Sequence, residues 1–507
     1  MDTLNDTEWD VLISGTGLPQ SLLALALSRS GKKILHVDKN DYYGGSEAAF
    51  SLDEAEAWMK KNNQEPGQVP FENISLFKSS ETEDSAGKLS ASRAYTLSLA
   101  PQLIYTRSQL IPSLVSSKVY KQLDFLAVGS WWIWRTTEGG EKDGNTNLQR
   151  VPGGREDVFD DDNIDSKSKR LLMKFLRYLT QVYDPTSEAA SGEEFDLPFS
   201  EYLATKFQMP VELCDPLVSL SLSPNSSEET TARYALPRIQ THLASIGVFG
   251  PGFGSVLAKW GGGAEISQVG CRACAVGGGV YVLKRGVDGI DFDADDTPLR
   301  VRLSDGESVR AKMIVGSPWD LPEGFHKGRS SVQNSARSIS VVSSSLERLF
   351  VQMAEGGPTP GGVVVNLPAG TLGQGSPPVY LMIHSSDTGE CPTGQCVIYG
   401  STSVSGEEGE GFIRAGVERV LSAEGGGKVL WCLSYTQLGV WGDEVGDIEE
   451  YVGGKVVGFP AGRLDLGFAD GMLGEVRSVW KRVVGDEEGE EGFMVFAERN
   501  EEVDDDE

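Results

Sequence analysis

The chain has 507 residues, with 74 acidic against 45 basic side chains and a formal net charge of −29. That length calls for more than one core, and a hydrophobic content of 39% is ample for globular folding. The excess of acid excludes the Lys/Arg-rich surface that nucleic acids or anionic membranes require, and six sparse cysteines read as reduced thiols of a cytosolic protein.

The opening MDTLNDTEWD is acidic and lacks an apolar run, so no secretory or transit peptide is expected there. No apolar stretch reaches the ~18–20 residues that span a bilayer, and the final DDDE carries no prenylation box. Asp10–Ser14 reads as a short apolar strand. A glycine turn follows, and then Pro19–Ser30 places Leu22, Leu23, Ala26 and Leu27 at helical spacing, with Gly31 ending the helix. Lys33–Val37 reads as a second strand, closed by Asp38. Strand–helix–strand in this order implies a parallel sheet. Ser51 and Glu54 form a capping-box pattern ahead of a helix running to about Lys61.

Residues 109–243 are expected to be mainly helical, the strongest case being 166–184, where Leu172, Phe175, Leu176, Leu179 and Val182 share one face. The run Trp131-Trp132-Ile133-Trp134 inside this span reads as core packing. From about 280 the pattern turns to strands: Val280–Leu283, then Leu299–Leu303 and Val309–Val315 around an Asp-Gly hairpin cue. The acidic, glycine-bearing runs 406–411 and 485–492 read as solvated loops, and 500–507 as disordered. Cys271 and Cys274 fall in an apolar helical stretch and read as buried thiols, not as half of a zinc site.

The first turn, Gly15-Thr16-Gly17-Leu18-Pro19-Gln20, has the form of a dinucleotide-binding loop. Such a loop needs one glycine for the tight turn, a second for approach of the pyrophosphate, and a third for close helix packing. Gly15 and Gly17 meet the first two needs, but Gln20 stands in the third place. Asp38 sits where an acid would hold ribose hydroxyls. The fold signature is therefore good and the cofactor signature is damaged, which makes Gly15, Gly17, Gln20 and Asp38 a vestigial loop kept for packing. No bound cofactor and no metal site are expected.

The full opening, DVLISGTGLPQSLLALALSRSGKKILHVDKNDYYGGS, resembles the GDP dissociation inhibitor and Rab escort protein superfamily, whose pattern runs GTGL, SxSG, HxDxNxYYGG. A second block agrees, GGGAEISQVGCRACAVGGGVYVLKRGV at 261–287, although Ser267 replaces the usual proline. A third, RVPGGREDVFDDDNIDSKSKRLLMKFLRYL at 150–179, resembles the escort-type version, with Arg155, Asp157, Val158 and Phe159 ahead of LLMKFL. The C-terminal third of the chain matches poorly.

The resemblance implies an α/β fold of the FAD/NAD(P)-binding (GDI-like) type, with a parallel-sheet dinucleotide unit, mixed sheets and a mainly helical second domain. It places the first domain at 1–108 and 231–485, the helical domain at 109–230 and an acidic tail at 486–507. It implies a non-catalytic accessory subunit of Rab geranylgeranyltransferase. Such a protein grips GDP-bound Rab GTPases through a platform whose Tyr, Glu and Arg fall on Tyr43, Glu265 and Arg272. The helical domain of the family receives the geranylgeranyl lipid and docks the transferase catalytic dimer. The expected location is the cytosol, with no nucleic acid and at most transient membrane contact. From the residues alone, Glu265 and Arg272 read equally as an intramolecular ion pair, and Tyr43 as a packed turn aromatic. Two other functions share these motifs: a dissociation inhibitor that recycles prenylated Rab, and a flavin-dependent oxidoreductase of amine-oxidase type.

Overall fold

A computed structural model describes residues 4–79, 88–135, 147–152, 158, 164–185, 187, 192–292, 298–325, 327–442, 445–485 and 492–497. Strand β1 (Glu8–Ser14), helix α1 (Leu18–Leu27) and strand β2 (Ile34–Asp38) form the expected opening unit. The two strands are parallel, with Val11 opposite Ile34 and Ser14 opposite Val37. On its other side β1 runs parallel to Ser308–Gly316, placing Ser14 opposite Gly316. Strand Val280–Leu283 adds in parallel to β2 at the edge. The carboxyl ends of these strands thus share one rim, where open α/β sheets bind ligands.

Residues 11–14 of β1 are all buried because both faces of this eight-stranded sheet are covered. One face carries α1, which is buried nearly all round, and helix Gly471–Val484, sharing a core with Val11, Ile13 and Val315. The other carries a smaller core around Trp9, Leu12, Leu35 and the hairpin of Leu299–Leu303 with Ser308–Gly316. Helix α2 (Leu52–Gln64) opens on the expected capping box, Ser51 and Glu54 closing on each other.

A second, ten-stranded sheet runs from Phe71–Lys78 at one edge to Ile104–Tyr105 at the other. Above it sits a helical lobe of Ser166–Gln181, Phe199–Phe207, Cys214–Ser219 and Ala232–Ser245, packed on the sheet through Phe175, Leu179, Tyr202, Leu236 and Trp131. Among the described residues, no helix is long and apolar enough to cross a membrane.

Several expectations need correction. Phe125–Trp134, inside the span expected to be mainly helical, is a ten-residue strand of the large sheet. Its aromatics split by the two-residue period of a strand. Trp131 and Ile133 enter the core beneath the helical lobe, while Trp132 and Trp134 pack on the opposite core. Val182 is 68% exposed, because helix Ser166–Gln181 ends one residue before it. The run 406–411 is not a loop but the start of helix Gly406–Ala423. Glu407 and Glu408 favour the positive end of a helix dipole. Arg155, Asp157, Phe159, residues 486–491 and the tail 500–507 lie outside the described residues.

Candidate functional site

At the carboxyl rim, the turn after β1 takes its shape from Gly15, whose φ of +89° suits glycine. A Cβ here would also lie 2.3 Å from Oδ2 of Asp320, so that carboxylate rests directly against the turn. Gln20 Nε2 donates to the same Asp320 oxygen at 3.0 Å. Thr16 donates both its backbone N–H (2.7 Å) and its hydroxyl (2.6 Å) to Asp38 Oδ2. The other oxygen of Asp38 accepts the Asn40 N–H at 2.7 Å. Leu18 N–H, at the amino end of α1, donates to Glu47 Oε2 at 3.2 Å.

The donors and the positive helix end that would cradle a pyrophosphate are therefore already answered by Asp38, Glu47 and Asp320. Three acids in one buried place repel each other and lose hydration. Burial, followed by the Asp320 charge, raises Asp38 above the usual carboxylate range. Burial likewise raises Asp320 and pushes Glu47 up to about 7. The cleft that remains measures about 680 Å³ with its open mouth, and its lining includes Gln20, Lys39, Glu47, Trp319 and Asp320. Residues so arranged do not fit a flavin or nicotinamide dinucleotide, because its diphosphate would meet carboxylates where it needs donors. Asp38 faces its own loop and not a ribose.

Immediately outside this turn lies helix Gly263–Val276. Its inner face, which includes Ile266, Val269, Gly270, Cys271 and Cys274, is buried. A Cβ at Gly270 would come within 2.7 Å of the Ser21 carbonyl, so this helix packs on α1 with backbones almost touching. Its outer face carries half-buried Glu265 and exposed Gln268 and Arg272. The i, i+3, i+7 spacing puts all three on one stripe, roughly 10 Å long. Among the described residues, none of the three side chains has a hydrogen-bond or ion-pair partner within the chain. Glu265 and Arg272 are therefore not an ion pair. Burial raises the Glu265 carboxyl above its ordinary value. Tyr43 stands half-buried beside the helix, its ring centroid 6.4 Å from that of Tyr281 and its hydroxyl raised first by burial and then by the Cys271 thiol.

The structure places Glu265 and Arg272 on the outer stripe of the helix, sets Tyr43 against Tyr281, and keeps Gly15, Gly17, Gln20 and Asp38 together at the turn. Sequence reasoning missed Gln268, which the helical spacing between Glu265 and Arg272 would have found. It also missed Glu47 and Asp320, the latter about 300 residues from the turn it fills and without any local signal. A second concavity lies against the helical lobe. It measures about 670 Å³ and is lined mainly by apolar side chains, among them Ile133, Val151, Leu172, Leu176, Leu217 and Leu243.

Residues 5–421 match the family model described as GDP dissociation inhibitor. A relative from Candida albicans named Rab proteins geranylgeranyltransferase component A is 28% identical over 403 residues, 78% of this chain and 59% of the relative. A protein of the same name from Saccharomyces cerevisiae is 29% identical over 419 residues, 81% of this chain and 64% of the relative. The chain thus spans about three fifths of these relatives' length. The solved structure of a Rab GDI from Plasmodium falciparum superposes with a TM-score of 0.65 at 19% identity, covering 94% of this chain and 98% of that one.

Proposed function

From the premise that the chain belongs to the GDP dissociation inhibitor family, we propose that it is an escort-type, non-catalytic member that binds GDP-loaded Rab GTPases in the cytosol. It presents their C-terminal cysteines to the geranylgeranyltransferase catalytic dimer and shields the attached lipid on the way to a membrane. The observation that carries this reading is the contrast at helix Gly263–Val276. The old nucleotide side is filled by the chain's own acids, while on the outer stripe half-buried Glu265 and exposed Gln268 and Arg272 have no side-chain partner among the described residues. Arg272 offers a planar donor fork, Glu265 a partner for a Rab cation, and Tyr43 a stiff amphipathic surface.

The apolar concavity beside the helical lobe supports the lipid-shielding step. An isoprenoid exposed to water costs ~0.8 kcal/mol per CH₂, so a carrier needs such a slot. The resemblance of the 150–179 block to escort-type proteins favours presentation over recycling. A second reading is an inhibitor that extracts prenylated Rab; a guanosine nucleotide diphosphate dissociation inhibitor from Arabidopsis thaliana, 24% identical over 82% of this chain and 83% of its own length, supports it. Reconstituted prenylation separates the two. With purified transferase dimer, GDP-loaded Rab and geranylgeranyl diphosphate, lipid should enter Rab only when this protein is added. No incorporation, together with extraction of prenylated Rab from membranes, would leave the inhibitor reading. A purified protein absorbing near ~450 nm would instead revive the flavoenzyme.

A further inference from the structure

Helix Ser166–Gln181 of the helical lobe holds no Asp or Glu. Its residues Lys167, Arg170, Lys174 and Arg177 are all exposed. Steps of three, four and three residues return to the same side of a 3.6-residue helix, so the four cations form one row about 15 Å long. The row faces away from the core, into which the same helix turns Ser168, Leu172, Phe175 and Leu179. Among the described residues, none of the four meets a carboxylate within ion-pair distance. Arg170 Nε donates to the Ser166 carbonyl at 3.1 Å, and Arg177 Nε to Gln181 Oε1 at 3.0 Å, bonds that leave both charges unanswered. Lys174 Nζ stands 5.7 Å from the centre of the Phe207 ring. Asp165 directs its carboxylate to the helix start, where it accepts the Lys167 and Ser168 N–H groups. Lys206 and Arg233 of the same lobe are by contrast paired, with Glu194 and Asp196.

The net charge of −29 argues against an anionic membrane for the surface as a whole, and this row is a local reversal of that sign. The same helix also forms one wall of the apolar concavity, through Leu172 and Leu176. The row and the concavity thus lie on different flanks of one helix, whose diameter is roughly 10–12 Å. A protein partner wants an interface centre depleted of charge and rich in aromatic contact. The row offers no such centre, since Leu171, Met173 and Tyr178 beside it are only partly exposed. An anionic leaflet needs no apolar contact. It needs several Lys or Arg together, held within a Debye length of its headgroups.

We propose that Lys167, Arg170, Lys174 and Arg177 are a docking surface for the anionic phospholipid headgroups of a membrane, and that they set the protein down with the concavity beside the leaflet that receives the lipid. The acidic remainder of the surface is repelled by the same leaflet, so the charge distribution fixes the orientation of contact as well as its strength. The inference rests on the reading of that concavity as the slot that shields the attached isoprenoid.

The test floats the full chain, without cargo, on vesicles of phosphatidylcholine alone or with ~30% phosphatidylserine, at ~0.1 M salt. Each Lys or Arg at such a surface is worth about a fivefold gain in partition. The parent should therefore prefer the serine vesicles by more than about tenfold, and Arg170→Gln should lose about fivefold of that. The variant carrying Lys167→Gln, Arg170→Gln, Lys174→Gln and Arg177→Gln should bind both vesicles alike. Arg170→Lys with Arg177→Lys should keep the preference, because charge and not fork geometry is being read. Raising salt to ~0.5 M should remove it. A parent that does not distinguish the vesicles, or a four-Gln variant that still does, would overturn the proposal. A four-Gln variant that keeps its vesicle preference but no longer supports prenylation of Rab would also overturn it, and would assign the row to an acidic face of the transferase. In a second arm each protein carries geranylgeranylated Rab, and the parent should deliver it to serine vesicles roughly tenfold faster than the four-Gln variant does. Equal rates would overturn the orienting role. A parent unable to hold geranylgeranylated Rab in solution would instead overturn the slot reading, while the vesicle preference of the cargo-free chain would still support the docking surface.

Discussion

At the turn after β1, the donors of Thr16, Leu18 and Gln20 all end on carboxylates of the same chain. On the far side of the neighbouring helix, the side chains of Glu265, Gln268 and Arg272 have no partner among the described residues. The two regions are joined where Gly270 packs on the Ser21 carbonyl and Cys271 meets the Ser21 hydroxyl, and hydrogen-bond state divides them more sharply than burial does. Buried polar groups must be satisfied somewhere. Where the chain satisfies them itself, as at the turn, an outside ligand has nothing left to offer. Where polar groups stay open to water on a rigid helix, a partner can displace that water at little conformational cost. The turn should therefore respond to mutation in stability, and the stripe in affinity.

The largest break expected is Asp38→Ala. It strands the Thr16 N–H, the Thr16 hydroxyl and the Asn40 N–H, each at ~1–3 kcal/mol, partly offset by relief of the repulsion from Asp320. A net loss of ~3 kcal/mol in urea unfolding is expected, with Rab affinity of the folded protein within threefold of the parent. A loss below ~1 kcal/mol would mean the turn does not depend on this acid.

Glu47 sharpens the same contrast through pH. Its folded-state carboxyl keeps its proton up to about pH 7, while the unfolded chain gives it up near its model value of 4.5. Between these values the folded state binds more protons, so this group's contribution to stability is full below about pH 4.5 and falls as pH rises toward 7. Glu47→Gln removes the penalty and still offers an oxygen to the Leu18 N–H. Stability at pH 8 should rise by ~2 kcal/mol, and the slope between pH 5 and 7 should flatten. An unaltered slope would show that Glu47 is ionised in the folded protein.

The opening unit was legible because its signals are local: an apolar run, a glycine turn, helical spacing, a second run closed by acid. The Asp-Gly hairpin and the capping box at Ser51 were legible for the same reason. What fills the turn was not, since Asp320 arrives from a distant loop by chain topology and nothing around it in sequence marks the contact. The strand holding Trp131–Trp134 was missed because aromatics that alternate between two apolar cores leave no polar face for periodicity to detect. Helix Gly406–Ala423 was missed because Gly409 and Gly411 look like loop residues. At Gly409 a Cβ would lie 1.9 Å from the Val404 carbonyl oxygen, so tight packing, not flexibility, explains that glycine.

The smallest effect is also the most discriminating. Gln268 is exposed, in mid-helix and without a side-chain partner among the described residues, so Gln268→Ala should leave unfolding unchanged and even gain slightly in helix propensity. If the stripe meets a partner, the amide still makes one neutral hydrogen bond there, and its loss should weaken Rab binding roughly threefold. Arg272→Ala should cost more at low salt, since a guanidinium meeting a carboxylate adds charge to geometry. The two must then diverge with ionic strength. Raising salt from ~0.05 to ~0.5 M shrinks the Debye length several-fold and should erode the Arg272 effect. The Gln268 effect, having no charge to screen, should hold constant. A Gln268 effect that fades in step with that of Arg272 would mean that the stripe acts as a diffuse electrostatic patch and not as a surface with fixed, residue-by-residue contacts.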